Sequence, residues 1–146
     1  MIGQTLSHYR ILEKLGEGGM GAVFLAEDTR LDRQVALKVL PADMADNQER
    51  LERFEREAKA IAALNHPNIV TIHSVEETDG MRFITMERVE GESLDEKIAA
   101  GGMGLDSFLE IARPLVEALC AAHEKGITHR DLKPANIMVN RDGRVK

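Results

Sequence analysis

The spacing of apolar residues changes character along the chain. From Tyr9 to Leu40 it alternates, and "YRILEKLG", "AVFLAED" and "RQVALKVL" read as three strands. The glycine cluster "GEGGMG" and the turn-like "DTRLD" separate them, and Pro41 ends the third. Leu51, Phe54, Ala58, Ile61 and Ala62 then recur on one face, which predicts a helix. Asp46 with Glu49 fits a capping box at its start, and Asn65, His66 and Pro67 stop it. "NIVTIHSVEE" and "MRFITMERV" read as an antiparallel pair around Thr78, Asp79 and Gly80.

From Gly91 onward helix dominates. Ser93 and Glu96 form a second capping box, opening a short helix that ends at Gly101 and Gly102. Ser107 and Glu110 form a third, opening a helix to about Lys125 with Gly126 as its C-terminal glycine. Its predicted stripe is Phe108, Ile111, Ala112, Leu115, Leu119 and Ala122. Pro114 removes the bond to the Glu110 carbonyl, at a cost of about 3 kcal/mol, and predicts a kink. Last come the strand-like "IMV", the tight turn "NRDGR", and a partner strand that reaches only Arg144, Val145 and Lys146. So short a second strand predicts a chain cut off in mid-sheet. A sheet-rich part with one helix precedes a helical part, with the change near Val89 to Gly91, which is a two-lobed α+β plan.

Composition narrows the class. A chain of 146 residues with 43% hydrophobic and 30% charged residues has the make-up of a globular domain with a real core. The net charge of −6 and the lack of an unopposed lysine/arginine cluster argue against nucleic acid as a partner. The single cysteine, Cys120, excludes an internal disulfide and is expected in the core, because it falls in a helical apolar pattern. No apolar run has membrane-spanning length and the N-terminus lacks a signal-peptide core, so this segment is expected in the cytoplasm without membrane contact. His8, His66, His73 and His123 have no metal-ligand spacing.

Three motifs carry candidate chemistry. Gly16, Gly18 and Gly21 have the GxGxxG spacing. In a dinucleotide-binding oxidoreductase those glycines open a helix, whereas here the strand-like "AVFLA" follows, which argues against that reading. A strand–loop–strand hairpin can instead fold over phosphates, offering backbone N–H groups where no side chain blocks the approach. The same letters also suit a glycine-rich hairpin with no ligand. Lys38 interrupts the apolar run of Val35, Leu37 and Val39, so it is either an edge residue or an inward charge in need of anionic partners. Glu57 flanks the buried stripe of the first helix, whereas Glu52 and Glu55 are expected to point more toward solvent. Alone, Glu57 reads as an ordinary surface charge with intrahelical partners such as Arg53. "HRDLKPAN" is the sharpest signal. Asp131 can accept or orient a hydroxyl proton, Lys133 can neutralise a phosphoryl group in transit, and Asn136 offers a hard oxygen to Mg²⁺.

Taken in order, "LGEGGMGAV", "VALK", a helix glutamate and "HRDLKPANIMV" resemble the protein kinase family. The resemblance runs from about Tyr9 to Lys146. Lys133-Pro134 is similar to the serine/threonine kinases, and "GEGGMGAVFLAED" to the bacterial receptor-type members. The resemblance implies a small ATP-binding lobe over 9–89 and the start of a large lobe over 90–146. It implies that Leu15, Gly16, Glu17, Gly18, Gly19, Met20, Gly21, Ala22 and Val23 surround the nucleotide, the glycines covering the triphosphate. Lys38 would hold the α- and β-phosphates, ion-paired to Glu57. Val23, Ala36 and Met138 would sandwich the adenine, with Met86 behind it and the backbone of Glu87 and Val89 at its edge. Asp131 would be the catalytic base, with Lys133 beside it, Asn136 a metal ligand, and Arg130 the residue that pairs with a phosphorylated activation loop. His129 would be structural.

ATP and Mg²⁺ are the implied cofactors, and proteins bearing serine or threonine the implied partners. Receptor-type relatives carry a membrane span beyond the kinase, and no residue here reads out dimerisation. The family's Asp-Phe-Gly motif, whose aspartate is the main Mg²⁺ ligand, is absent from these residues. A chain lacking it is expected to be poorly active alone, which leaves a nucleotide-binding, pseudokinase-like regulatory module as the alternative reading.

Overall fold

The computed structural model describes residues 1–18, 21–41, 46–98, 101–127 and 137–146. They divide into two compact units, Met1–Ala62 with Thr71–Arg88, and Ala63–Val70 with Val89–Lys146.

The first unit is built on a six-stranded antiparallel sheet of order β1-β2-β3-β4-β6-β5. Its strands are β1 (Thr5–Leu6), β2 (Tyr9–Gly18), β3 (Gly21–Asp28), β4 (Arg33–Val39), β5 (Ile72–Thr78) and β6 (Met81–Glu87). The alternation read from the sequence becomes two faces. Ile11, Phe24, Ala26, Val35, Leu37 and Phe83 are buried together on one, joined by Leu6 and Tyr9, whose ring meets Phe83 edge-on at 5.9 Å. The turns follow their residues. Asp28 bends the β3–β4 connection by accepting the Arg30 and Leu31 N–H groups at 3.0 and 3.2 Å. Asp79 (φ 53°) and Gly80 (φ 74°) are both left-handed, as a two-residue hairpin between right-twisted strands requires. Strand β1 is too short for periodicity to reveal.

Helix α1 (Gln48–Ala62) lies against β5. Its start departs from the expected Asp46–Glu49 box. The Asn47 side chain accepts the Arg50 N–H at 3.1 Å and its carbonyl accepts the Leu51 N–H at 3.0 Å, so Asn47 is the cap. Leu51 and Ala58 are its buried residues. Phe54 and Ile61 are half-buried and Ala62 is exposed.

In the second unit, β7 (Gly91–Ser93) pairs with β8 (Met138–Asn140), followed and framed by α2 (Leu94–Lys97) and α3 (Leu105–Glu124). Neither predicted box forms. The Ser93 hydroxyl turns to the Asp95 carboxylate rather than to the backbone, and α2 stops at Lys97, short of Gly101. Helix α3 opens from Gly104, upstream of Ser107, because the Phe108 N–H already reaches the Gly104 carbonyl at 3.0 Å. It continues through Pro114. It closes as expected at Gly126 (φ 75°), where Gly126 and Ile127 N–H groups cap the His123 and Ala122 carbonyls.

The face of α3 that is buried carries Ile111, Ala118 and Ala122. Leu94, Ile111, Ile137, Val139 and Val145 form the core of this unit, with Met103 and Leu115 against it. Two expectations fail on α3. Phe108 is 52% exposed, and Cys120 is exposed rather than in the core. Cys120 is two positions from both Ala118 and Ala122, about 200° around the helix, which turns it away from the buried face. The terminal turn forms as read. Asn140 Oδ1 accepts the Asp142 and Arg144 N–H groups, Gly143 is left-handed (φ 82°), and Met138 and Lys146 exchange backbone bonds of 3.0 and 2.8 Å.

Candidate active site

The face of the sheet opposite the core row carries part of the sequence-predicted set of the first unit, whereas Ala22, with Glu17 opposite it, and Glu87, opposite Val35, fall on the core-row face. Gly16 stands opposite Val23, Val23 opposite Lys38, and Lys38 opposite Ile84. One row along, Leu25 pairs with Ala36 and Ala36 with Met86. Directly paired antiparallel residues share a face, so the register alone places Gly16, Val23, Ala36, Lys38 and Met86 on one side of four adjacent strands. Leu25 and Ile84 belong to the same side and are buried. They escaped the motif reading, although the alternation of "FITME" sets Ile84 and Met86 in phase.

The glycine hairpin narrows to the Gly18–Gly21 pair, with Glu17 opposite Ala22. Gly19 and Met20 lie outside the described residues. The glycines differ in what they do. A Cβ on Gly21 (φ 109°) would sit 2.1 Å from the Val39 carbonyl oxygen, so close approach of β3 to β4 demands glycine there. A Cβ on Gly16 would meet no protein atom within 4 Å, and packing does not explain that glycine. Leu15, next to it, is half exposed, and Lys14 pairs with Glu17 across the strand irregularity between Lys14 and Gly16.

Lys38 is half-buried. On α1 one carboxylate, Glu55, departs from expectation. Glu57 is exposed, while Glu55 is turned toward the sheet, ion-paired to Arg82 of β6. Glu55 sits four residues after Leu51 and three before Ala58, which is the buried stripe itself. Below β6, the Glu87 N–H donates to the Thr71 carbonyl at 2.8 Å. His73 of β5 is exposed on its strand, and its ring is held below the ordinary imidazole value by the desolvation of its packed side first and by Arg33 second, against the opposite pull of Glu87 and Asp28.

In the second unit, Val89 and Met138 are half-buried, and Met138 is held by its Ser93 pairing and by the terminal hairpin. Asn68, which the sequence places at the start of the strand-like "NIVTIHSVEE", donates from Nδ2 to the Val145 carbonyl at 2.8 Å. The catalytic-loop residues Arg130, Asp131, Lys133 and Asn136, with His129, lie outside the described residues. Among the described residues no group of three histidine, cysteine or acidic side chains could hold a metal, and no helix is long and apolar enough to cross a membrane.

A curled antiparallel sheet with one helix, a glycine hairpin at its edge and a lysine in its third long strand is the amino-terminal architecture of a protein kinase. The protein kinase domain family matches residues 9–146, and the chain belongs to that family. Its structure superposes on the kinase domain of Mycobacterium tuberculosis PknI with a TM-score of 0.87 at 34% identity, covering 99% of this chain and 60% of that one. In sequence it is 45% identical to the serine/threonine-protein kinase PrkC of Bacillus subtilis, over 100% of this chain and 23% of the relative. It is 46% identical to the serine/threonine-protein kinase PknF of M. tuberculosis, over 94% of this chain and 29% of the relative. The chain thus spans less than a third of the length of these two relatives.

Proposed function

We propose that these residues form the ATP-binding lobe (9–89) and the first part of the catalytic lobe (90–146) of a bacterial serine/threonine protein kinase acting in the cytoplasm. The observation that carries this reading is the single sheet face shared by Gly16, Val23, Ala36, Lys38 and Met86. The residues suit ATP. Gly16 presents backbone without packing need, and Leu15 offers exposed apolar surface beside it. Val23, Ala36 and Met86 supply apolar contact for the adenine, and the family resemblance adds Met138. Lys38 lies one row from Ala36 and supplies the cation for the α- and β-phosphates, with Glu57 as its partner.

Because the Glu87 N–H is committed to Thr71, the adenine contact from Glu87 falls to its carbonyl, and the donor to Val89. Glu17, Gly18, Gly19, Met20, Gly21 and Ala22 complete the phosphate cover. ATP would give up its γ-phosphoryl group, with ADP leaving, and Asn136 would in part hold a Mg²⁺ ion whose charge would offset that of the phosphates. Asp131 receives the proton of the attacking serine or threonine hydroxyl, and Lys133 balances charge on the phosphoryl oxygens. Arg130 answers to the phosphorylation state of an activation loop.

The test is phosphate transfer from labelled ATP to a serine-containing protein by the full-length protein. Asp131→Asn and Lys38→Met are each expected to abolish transfer, with the Asp131→Asn protein still binding ATP. Undiminished transfer in either variant overturns the assignment.

A further inference from the structure

Helix α1 carries Glu57, yet its apolar hold on the sheet is thin. Of its fifteen residues, Leu51 and Ala58 are the buried ones. A groove of about 400 Å³ runs between α1 and β5, lined by Ala58, Lys59, Ala62, Ile72 and Ser74 among others. A helix with so little buried apolar surface draws its position from other contacts.

Arg82 provides one. Its Nη1 pairs with Glu55 of α1, and its Nη2 reaches Glu77 of β5 at 3.1 Å. Glu77 is also its direct cross-strand neighbour in the β5–β6 ladder, so the guanidinium is braced from the strand side and aimed at the helix. The arginine side chain is 25% exposed, less than either carboxylate, which favours a formed pair over a solvated one. Its place in the register is what matters for chemistry. Arg82 lies two residues from Ile84, the partner of Lys38, and therefore on the same sheet face one row further along. On the helix, Glu57 follows Glu55 by two residues, about 3 Å of rise. The bridge thus joins the helix that carries Glu57 to the strand that borders Lys38.

We infer that Arg82 is a positioning residue for phosphoryl transfer, seating α1 through Glu55 so that Glu57 and Lys38 keep a fixed relation. This inference rests on the nucleotide roles of Lys38 and Glu57 proposed above. Arg82 touches neither nucleotide nor substrate. Its removal should loosen α1 without emptying the adenine site.

The experiment uses the full-length protein with Arg82→Met, Arg82→Lys, Glu55→Gln and the Arg82→Met/Glu55→Gln double variant. A partly buried ion pair of this kind predicts a loss of kcat of about three- to fivefold in Arg82→Met. KM for ATP should stay within about twofold, since a displaced phosphate-aligning pair affects the transition state more than uniform binding. Arg82→Lys, which keeps the charge but not the two-armed bridge, should recover only part of the rate, and the double variant should be no slower than either single one. Amide exchange should accelerate over residues 48–62 and stay unchanged in β3 and β4. Equal rates in wild type and Arg82→Met overturn the inference, as do additive losses in the double variant or exchange that accelerates uniformly across the unit. If the wild-type protein transfers no phosphate, the kinase reading fails instead, and the exchange data still report whether Arg82 seats the helix.

Discussion

Glycines 16 and 21 stand in one motif, yet the structure assigns them different physical work, and exchanging each for alanine separates the two. In Gly21→Ala the new methyl would lie 2.1 Å from the Val39 oxygen and 3.3 Å from Pro41 Cδ. The first distance is roughly 1 Å inside any tolerable carbon–oxygen contact. The backbone there also has φ 109°, a region costing a side chain about 1–3 kcal/mol. Relief requires β3 to move off β4 near the Ala22–Val39 pair, weakening a ladder bond worth about 0.5–1.5 kcal/mol. Together these predict a destabilisation of about 3 kcal/mol, or about 6–12 °C in Tm for a domain of 150–250 residues. In Gly16→Ala the methyl meets nothing and the backbone needs no left-handed φ, so Tm should hold or rise slightly. The same methyl projects where the triphosphate is proposed to pass, so the stabilisation of the protein by added ATP should shrink. Thermal unfolding with and without Mg-ATP measures both. A Gly21→Ala protein that melts within about 2 °C of wild type refutes the packing argument. Full ATP stabilisation in Gly16→Ala refutes the nucleotide argument.

Two further predictions concern stability. His73 is held below its ordinary value of 6.5, chiefly by burial, so the unfolded chain binds its proton more readily than the folded one. Its contribution is complete above about pH 6.5 and is lost as pH falls through the depressed folded value. Melting temperatures measured from pH 7.5 to 5.5 should therefore fall less steeply in His73→Asn than in wild type, and parallel curves would contradict this. Asn68→Ala removes the bond to the Val145 carbonyl and should cost about 1–2 kcal/mol in denaturant unfolding; no change would mean that solvent replaces the amide without loss.

Much of the site was legible in local chemistry. Period-two alternation in "VALK" and "FITME" already sets Ala36 and Lys38 in phase, and Ile84 with Met86, before any strand is paired. The Asp79-Gly80 turn and the Asn140 to Gly143 turn were readable because their backbone demands few residue types. The helix starts were not. Three serine or aspartate positions followed by glutamate matched a capping box, and in none did that box form. Asn47 and Gly104 displaced two of them, and in the third Ser93 bonded Asp95 instead. Capping is decided by which residue leaves the helix first, and several neighbours can compete for that position.

What the sequence determined by itself was the order of the longer strands and helices, the family and the residue types that can do phosphoryl chemistry. Each of these depends on neighbours within a few positions, where backbone preference and side-chain period act directly. Tertiary structure alone decided which glycine is packing and which is surface, that Glu55 of α1 reaches the sheet, and that Arg82 braces α1 beside the Lys38 row. Those facts require strands distant in sequence to be set in register, because only pairing brings the Val39 oxygen over Gly21 and an arginine of β6 against a glutamate of α1. A motif names the groups available, and the ladder determines which of them meet.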